Sequence, residues 1–265
     1  MRVHAIRTGT VWVTSKQLRG VGGGRTRALR TMLDRKWSDP LPILCWLVEH
    51  PDGLIVVDTG ESAGAMDRRA WYPWWQPYWR LAVKFDVKPE DEAGPQLRRL
   101  GFDPEDVKTV VMTHLHGDHA GGIPHFRNAE FFIARGEWEA AQGFAGEAGG
   151  YLPKHFPQWL SPTLIDGEHE VAPGVRVMPT PGHTPHHVSV VVEDAGSSGR
   201  TLFLAGDASY REDLMRAGVS DGVTTSPATH EATLAKIRAF CDSSGAVFLP
   251  AHDPESVARL SAAVG

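Results

Sequence analysis

The chain has 265 residues, of which 42% are hydrophobic and 22% charged, a balance typical of an ordinary globular protein. Its formal net charge of −5 argues against a nucleic-acid partner. No apolar run approaches the ~18 residues that a membrane helix needs, so no membrane partner is expected. The only cysteines, Cys45 and Cys241, are far apart and indicate no disulfide framework. Because the N-terminus also lacks the apolar core of a signal peptide, we expect a cytoplasmic protein.

Short apolar runs predict strands, and amphipathic runs between some of them predict helices. The predicted strands cover 43–48, 54–57, 107–112, 130–134, 175–178, 188–192, 201–205 and 246–249. The predicted helices cover 95–100, 136–142, 229–241 and 254–264. Early strands form hairpin-like pairs and later strands alternate with helices, which favours an α/β fold of two sheets packed face to face with helices outside. This length fits a single domain over 1–265.

Two segments show neither the apolar runs of strands nor the amphipathic spacing of helices. Residues 18–27 include four glycines and predict a loop. An aromatic-rich insertion near 66–85 holds four of the nine tryptophans, and Pro73 and Pro77 interrupt any long helix there. Exposing so many aromatic side chains to water is unfavourable, so we expect this patch to pack over another surface. It is interpreted either as a packed flap or homodimer contact, or as an apolar wall of a substrate pocket formed by Trp71, Trp74 and Trp75.

The strongest chemical pattern follows the predicted strand at 107–112 and reads Thr-His-Leu-His-Gly-Asp-His from position 113. Four potential metal ligands fall within six residues: His114, His116, Asp118 and His119. The first two alternate at the period of two of a strand end, whereas the other two point elsewhere, which suits a second metal. Imidazoles and carboxylates without cysteine favour a catalytic zinc site with an open position.

This run, followed by Ala-Gly-Gly, resembles the signature of the metallo-β-lactamase superfamily. Four further segments match landmarks of that family in the expected order. They are Val-Asp-Thr-Gly at 57–60, Thr-Pro-Gly-His-Thr-Pro at 180–185, Ala-Gly-Asp at 205–207 and Pro-Ala-His-Asp at 250–253. The resemblance spans most of the chain and implies a four-layer αβ/βα sandwich with metals at one edge.

Carried over to this chain, the resemblance implies two metal ions. Metal 1 is bound by His114, His116 and His183, metal 2 by Asp118, His119 and His252, and Asp207 bridges them. Zinc is the default, and cobalt, manganese or iron also occupy such ligand sets, because selectivity depends on geometry and availability. Asp58 and Asp253 are expected to orient ligand imidazoles through the second ring nitrogen.

The segment Gly-Asp-Ala-Ser-Tyr at 206–210 distinguishes branches of the superfamily. Zinc β-lactamases usually carry cysteine at the position of Asp207, whereas N-acyl homoserine lactonases place a tyrosine three residues later, where Tyr210 stands. The resemblance therefore implies a lactonase in which a metal-bridging hydroxide attacks the lactone of an N-acyl homoserine lactone. Asp118 would pass the proton to the leaving oxygen, and Tyr210 would stabilise the negative carbonyl oxygen. Many lactonases carry a bulky residue where this chain has Gly117, which leaves more space in the expected substrate pocket.

Two other interpretations stay open. One is a dinuclear metal hydrolase of the same fold that acts on another lactone, a thioester or a phosphodiester, because a fold does not set a substrate. A ring of arginine and lysine around the metals would favour the phosphodiester. The other is a metal-binding protein without turnover, for which missing ligands would be the expected sign.

Overall fold

A computed structural model describes residues 1–23 and 25–264 of the chain. The strands are β1 Arg2–Val13, β2 Leu41–His50, β3 Gly53–Val57, β4 Val83–Asp86, β5 Val107–Val111, β6 Glu130–Ala134, β7 Thr163–Ile165, β8 His169–Ala172, β9 Val175–Pro179, β10 Val188–Ala195, β11 Arg200–Gly206 and β12 Val247–Pro250. The helices are α1 Ser15–Leu18, α2 Arg25–Met32, α3 Arg68–Trp71, α4 Tyr78–Leu81, α5 Ala93–Arg99, α6 Gly117–Ala120, α7 Arg135–Ala140, α8 Gly143–Gly149, α9 Glu212–Arg216, α10 Pro227–Ser244 and α11 Ser256–Val264.

The strands form two mixed sheets. The first has the order β4-β1-β2-β3-β5-β6-β7, and the second has the order β12-β11-β10-β9-β8. In the first sheet β3, β5, β6 and β7 are parallel. In the second, β9 and β11 are both antiparallel to β10, and β12 is parallel to β11, so β9, β11 and β12 share one direction. Each sheet therefore has an edge at which several carboxyl ends of strands meet.

Apolar side chains of both sheets fill the space between them, and β2 shows how the sequence produces this. Leu44 and Trp46 belong to the cluster between the sheets, together with Leu204 of β11. The alternate residues Cys45 and Leu47 belong to a separate cluster on the opposite face. Successive side chains of a strand point to opposite faces, so a strand buried on both faces reads as one continuous apolar run.

Helices cover the outer face of each sheet. Leu97 of α5 packs in the cluster outside the first sheet. Leu234 and Ile237 of α10 pack with Phe203 of β11 outside the second. The layers run helix, sheet, sheet, helix, so the predicted α/β four-layer sandwich is confirmed. Of the helices in 1–23 and 25–264, none is long and apolar enough to span a membrane.

The aromatic-rich insertion packs on the first sheet. Tyr72 and Trp79 stack with their ring centroids 4.4 Å apart, and both belong to a cluster with Val11 and Val13 of β1. Trp74, by contrast, is 80% exposed. Part of the insertion is thus a packed flap, and part of it faces solvent.

The prediction of a loop over 18–27 is wrong for its last residues, because the helix α2 begins at Arg25. Gly24, also part of that predicted loop, lies outside the described residues. Arg27 fixes this helix to a distant loop. Its guanidinium donates to the backbone carbonyl of Ser220 at 2.8 Å and to that of Asp221 at 2.6 Å. These partners are almost 200 residues away in sequence, so local composition could not indicate the helix.

Leu204→Ala tests the packing between the sheets, because this side chain is fully buried. We expect the free energy of unfolding to fall by about 2–5 kcal/mol, since removing buried methyl groups leaves a cavity. Leu33→Ala, at a side chain that is 65% exposed, is the control and should change it by less than about 0.5 kcal/mol. Urea denaturation measures both variants, and equally small losses would contradict this packing.

Candidate metal centre

The predicted ligands all follow carboxyl ends of strands, in both sheets. After β5 come His114 and His116, and then Asp118 and His119 within α6. His183 follows β9, Asp207 follows β11, and His252 follows β12. Parallel strands end at the same edge of their sheet. The topology therefore gathers side chains from distant parts of the sequence at one place.

In the described part of the chain, imidazole and carboxylate groups form two separate clusters of potential ligand atoms, and a third group, His114, His119 and Asp207, links them. In each cluster these atoms lie within 4.8 Å of one another. One cluster consists of His114, His116 and His183, and the other of Asp118, His119 and His252.

Asp207 lies between the two clusters. Its Oδ1 is 3.2 Å from the Nε2 atoms of both His119 and His252. Its Oδ2 is 3.4 Å from Nε2 of His183. A carboxylate with one oxygen directed at each cluster has the arrangement that a bridging ligand requires.

Buried carboxylates fix the orientation of two of the imidazoles. Nδ1 of His119 donates to Oδ2 of Asp58 at 2.8 Å, and Nδ1 of His183 donates to Oδ2 of Asp221 at 2.8 Å. Each bond directs Nε2 of the same ring at the clusters. This is the tautomer and orientation that a metal ligand needs.

Several atoms at the middle of the clusters have no hydrogen-bond partner among the described residues. They are Nε2 of His114, His119 and His252, and Oδ1 of Asp207. Leaving buried polar atoms unpaired is costly. Burial lowers the pKa of His114 well below its ordinary value, so this ring is neutral. Burial raises the pKa of Asp207, but His252 and His119 outweigh that effect and hold it well below its usual value. Imidazole nitrogens around an ionised carboxylate are the ligand types that divalent metal ions such as zinc bind.

Close packing fixes the backbone at Asp207. Gly206 has a φ of +53°, and a Cβ there would lie 2.6 Å from Oγ1 of Thr113, so only glycine fits. The Asp207 N–H donates to Nε2 of His187 at 3.1 Å, and the other ring nitrogen of His187 bonds to the Thr180 hydroxyl at 2.9 Å. His187 therefore supports the centre through the backbone, with both ring nitrogens engaged.

A cavity of about 400 Å³ opens onto the clusters. Asp118, Asp207, His183 and Tyr210 all contribute to its wall. The Tyr210 ring centroid is 5.7 Å from that of His183. Burial and the nearby Asp207 carboxylate raise the pKa of Tyr210 well above its usual value, so the phenol keeps its proton. The predicted catalytic pair Asp118 and Tyr210 thus shares one cavity with the predicted ligands His116, His183 and Asp207.

The rest of the cavity wall is largely apolar. It includes Val13 of β1, Met32 of α2, and Val83 and Phe85 of β4. These elements lie outside the strands that carry the predicted ligands. The wall and the metal centre therefore come from different parts of the fold.

Asp253 does not orient a ligand imidazole, contrary to the prediction. Its carboxylate accepts from the backbone N–H of Glu212 at 2.9 Å and from the Arg259 guanidinium at 2.7 Å. The neighbouring His252 donates instead from Nδ1 to the backbone carbonyl of Pro42 at 2.8 Å. Adjacent side chains point in different directions here, and that of Asp253 points toward α9 and α11.

The three tryptophans predicted for the substrate pocket do not line this cavity. Trp74 is 80% exposed, Trp75 packs on Phe144 with centroids 4.8 Å apart, and Trp71 stacks on His155 at 3.7 Å. The insertion contributes residues 76–79 to the wall instead. The prolines divide the insertion into short pieces, and the part that lines the cavity begins at Gln76.

Gly117 also lies away from the cavity. A Cβ at this position would point at Oε2 of Glu61, 3.3 Å away, and at Leu152, 3.2 Å away. The expectation that Gly117 leaves extra space in the substrate pocket is therefore corrected, because its missing side chain would point into packed protein.

Sequence reasoning missed two residues that contact this centre. Asp221 fixes His183, and Gln17 donates from Nε2 to the Tyr210 hydroxyl at 2.9 Å. Neither residue lies in a recognisable motif. Both contacts join segments that are distant in sequence, so only the folded structure reveals them.

A four-layer sandwich with such imidazole and carboxylate clusters at its sheet edge defines a class of metal-dependent hydrolases. The family model described as Metallo-beta-lactamase superfamily matches residues 38–252, and the chain belongs to that superfamily. Over 177 residues, 65% of this chain and 66% of the relative, it is 36% identical to an N-acyl homoserine lactonase of Bacillus sp.. Over 235 residues, 84% of this chain and 86% of the relative, it is 33% identical to the N-acyl homoserine lactonase AttM of Rhizobium radiobacter.

The fold is also similar to that of a solved structure. This is a variant of AiiA from B. thuringiensis with N-decanoyl-L-homoserine bound at the active site. The TM-score is 0.80 at 26% identity, and the match covers 96% of this chain and 94% of that chain.

Asp221→Asn tests the support of His183. We expect metal affinity to fall about 10- to 100-fold, because the variant loses the carboxylate that orients the ring and raises its basicity. Asp253→Asn is the matched control, since that buried carboxylate contacts none of the predicted ligands. Competition with a chromophoric chelator measures the affinity, and circular dichroism checks folding. Equal losses in the two variants would contradict the role of Asp221.

Proposed function

We propose that this chain opens the lactone ring of N-acyl homoserine lactones with the help of two divalent metal ions. The main observation is that Tyr210 and Asp118 line one largely apolar cavity together with His116, His183 and Asp207. The relatives named N-acyl homoserine lactonase support the proposal, as does the similar structure with N-decanoyl-L-homoserine at its active site.

Two zinc ions are the proposed cofactor, with cobalt, manganese or iron as alternatives. When bound, such a pair lowers the pKa of a water toward neutrality and polarises a carbonyl group. The residues that would hold the pair are His114, His116 and His183 on one side, Asp118, His119 and His252 on the other, and Asp207 between them.

Asp118 and Tyr210 supply the chain's own chemistry. Oδ2 of Asp118 lies 3.5 Å from Nε2 of His252, and the side chain is 18% exposed, so it faces both the cluster and the cavity. From there it can carry a proton from the attacking water to the leaving ring oxygen. The Tyr210 hydroxyl donates to the carbonyl oxygen as negative charge develops on it. The product is the ring-opened N-acyl homoserine.

The apolar wall suits the acyl chain of such a substrate. A cavity of about 400 Å³ lies within the range of small-molecule sites, and Val13, Val83 and Phe85 provide apolar contacts. Another lactone or a thioester is the alternative substrate. A phosphodiester is disfavoured, because the described residues of the wall include no lysine or arginine.

Assembly and location stay predictions. Trp74 is 80% exposed and Phe144 is 72% exposed. We propose these two aromatic side chains as a homodimer contact. Cys45 and Cys241 are free and buried, as in proteins of a reducing compartment such as the cytoplasm. We propose no nucleic-acid or membrane partner, and one domain over 1–265.

Proton release from N-acyl homoserine lactones tests the proposed reaction, since each ring opening at neutral pH yields a carboxylate and a proton. We expect release with zinc-loaded protein, its loss after chelation, and its return when zinc is added back. Asp207→Asn should abolish it, because the carboxylate between the clusters is lost. Absence of release with two bound metals would overturn the lactonase proposal and direct the assay to thioesters.

The length of the acyl chain tests the apolar wall. Each buried methylene contributes about 0.8 kcal/mol, so kcat/KM should rise roughly fourfold per methylene until the cavity is filled. Phe85→Ala should flatten this dependence, whereas Trp74→Ala, at an exposed side chain outside the wall, should preserve it. Assays from butanoyl to decanoyl substrates measure the profile. A flat profile in the unmodified protein would place the acyl chain in solvent.

A further inference from the structure

Gln17 forms a buried hydrogen-bonded group with two tyrosines. Its side chain is in α1 and the residue is only 2% exposed. Nε2 of Gln17 lies 2.9 Å from the hydroxyl of Tyr210 and 2.9 Å from that of Tyr78. The Tyr78 hydroxyl donates in turn to Oε1 of Gln17 at 3.1 Å. The amide thus connects the insertion, the N-terminal segment and the cavity.

The direction of the bond to Tyr210 decides where the phenol proton goes. An amide nitrogen only donates, so the Tyr210 oxygen accepts from Gln17. Among the hydrogen bonds of the described residues, the Tyr210 hydroxyl occurs only as an acceptor. Its single proton is therefore unused by the protein and available to a molecule in the cavity that Tyr210 lines.

The backbone of Gln17 is held as firmly as its side chain. Its N–H donates to the carbonyl of Thr14 at 2.9 Å, and its carbonyl accepts from the N–H of Gly222 at 2.7 Å. Gly222 follows Asp221, the residue that fixes His183. Gln17 is thereby anchored to the same loop that supports the metal centre, so its amide has a fixed position relative to that centre.

We propose that Gln17 is a positioning residue that makes Tyr210 a hydrogen-bond donor toward the substrate carbonyl. The inference rests on the proposed lactonase function and names a residue outside the ligand motifs. A purely structural Gln17 would only satisfy two buried hydroxyls. A catalytic contribution through Tyr210 requires in addition that the amide nitrogen, and not an acceptor, faces Tyr210.

Gln17→Glu separates these two roles, because it preserves size but replaces the donor with a carboxylate. Glutamate accepts from both tyrosines and so draws the Tyr210 proton away from the cavity. We expect kcat to fall about 100-fold, as for the loss of one donor to the oxyanion in Tyr210→Phe, with KM little changed. Gln142→Glu makes the same replacement at an exposed site and should leave kcat unchanged.

The double variant Gln17→Glu/Tyr210→Phe completes the test. If Gln17 acts through Tyr210, the double variant is no slower than Tyr210→Phe alone. Gln17→Leu, which removes the bond without adding charge, should show the same non-additivity. Thermal unfolding and metal content confirm that each variant is folded and loaded.

The outcomes separate the two proposals. Full activity in Gln17→Glu, or losses that multiply in the double variant, would overturn the positioning role while the lactonase stands. Failure of the unmodified, metal-loaded protein to open any lactone would overturn the proposed function, and the positioning role with it.

Discussion

The buried, ionised carboxylate of Asp207 has to be stabilised by the structure around it. An ionised carboxylate away from water costs several kcal/mol unless positive charge and hydrogen bonds compensate it. Here His119, His183 and His252 surround it at 3.2–3.4 Å, and its backbone is fixed by Gly206. The strand ends, the ring orientations and the burial of Asp207 all serve to hold this charge where metal ions can bind.

The need to surround Asp207 with side chains from several strand ends also accounts for the layered fold. A single sheet would present its strand ends along one line, whereas two sheets packed face to face bring strand ends together from both sides of Asp207. The apolar cluster between the sheets, with Leu44 and Leu204 fully buried, sets the spacing of those ends. The packing of the core therefore also determines the geometry of the metal centre.

The sequence predicts well which imidazole and carboxylate side chains gather at the sheet edge, because one local motif carries four of them and a strand end fixes their directions. The strand at 130–134 is also predicted with its observed bounds. β1 is not predicted, since polar residues separate its apolar ones over most of its length and leave no continuous apolar run, and Gly9, at φ +144°, interrupts the alternation. Asp221 and Gln17 were not predicted either, because their roles arise from contacts with segments 38 and 193 residues away.

The cavity and the metal centre come from separate segments of the chain. The predicted ligands follow β5, β9, β11 and β12, whereas most of the apolar wall comes from β1, α2, the insertion and β4, before residue 90. The wall is completed by Ala148, Gly149, Gly150, Val223 and Thr225. Substitutions in that first third can change which molecules are admitted without touching the ligand set. The shape of the cavity and the set of predicted ligands can therefore change largely independently, because most of the residues that form each of them lie in different segments of the chain.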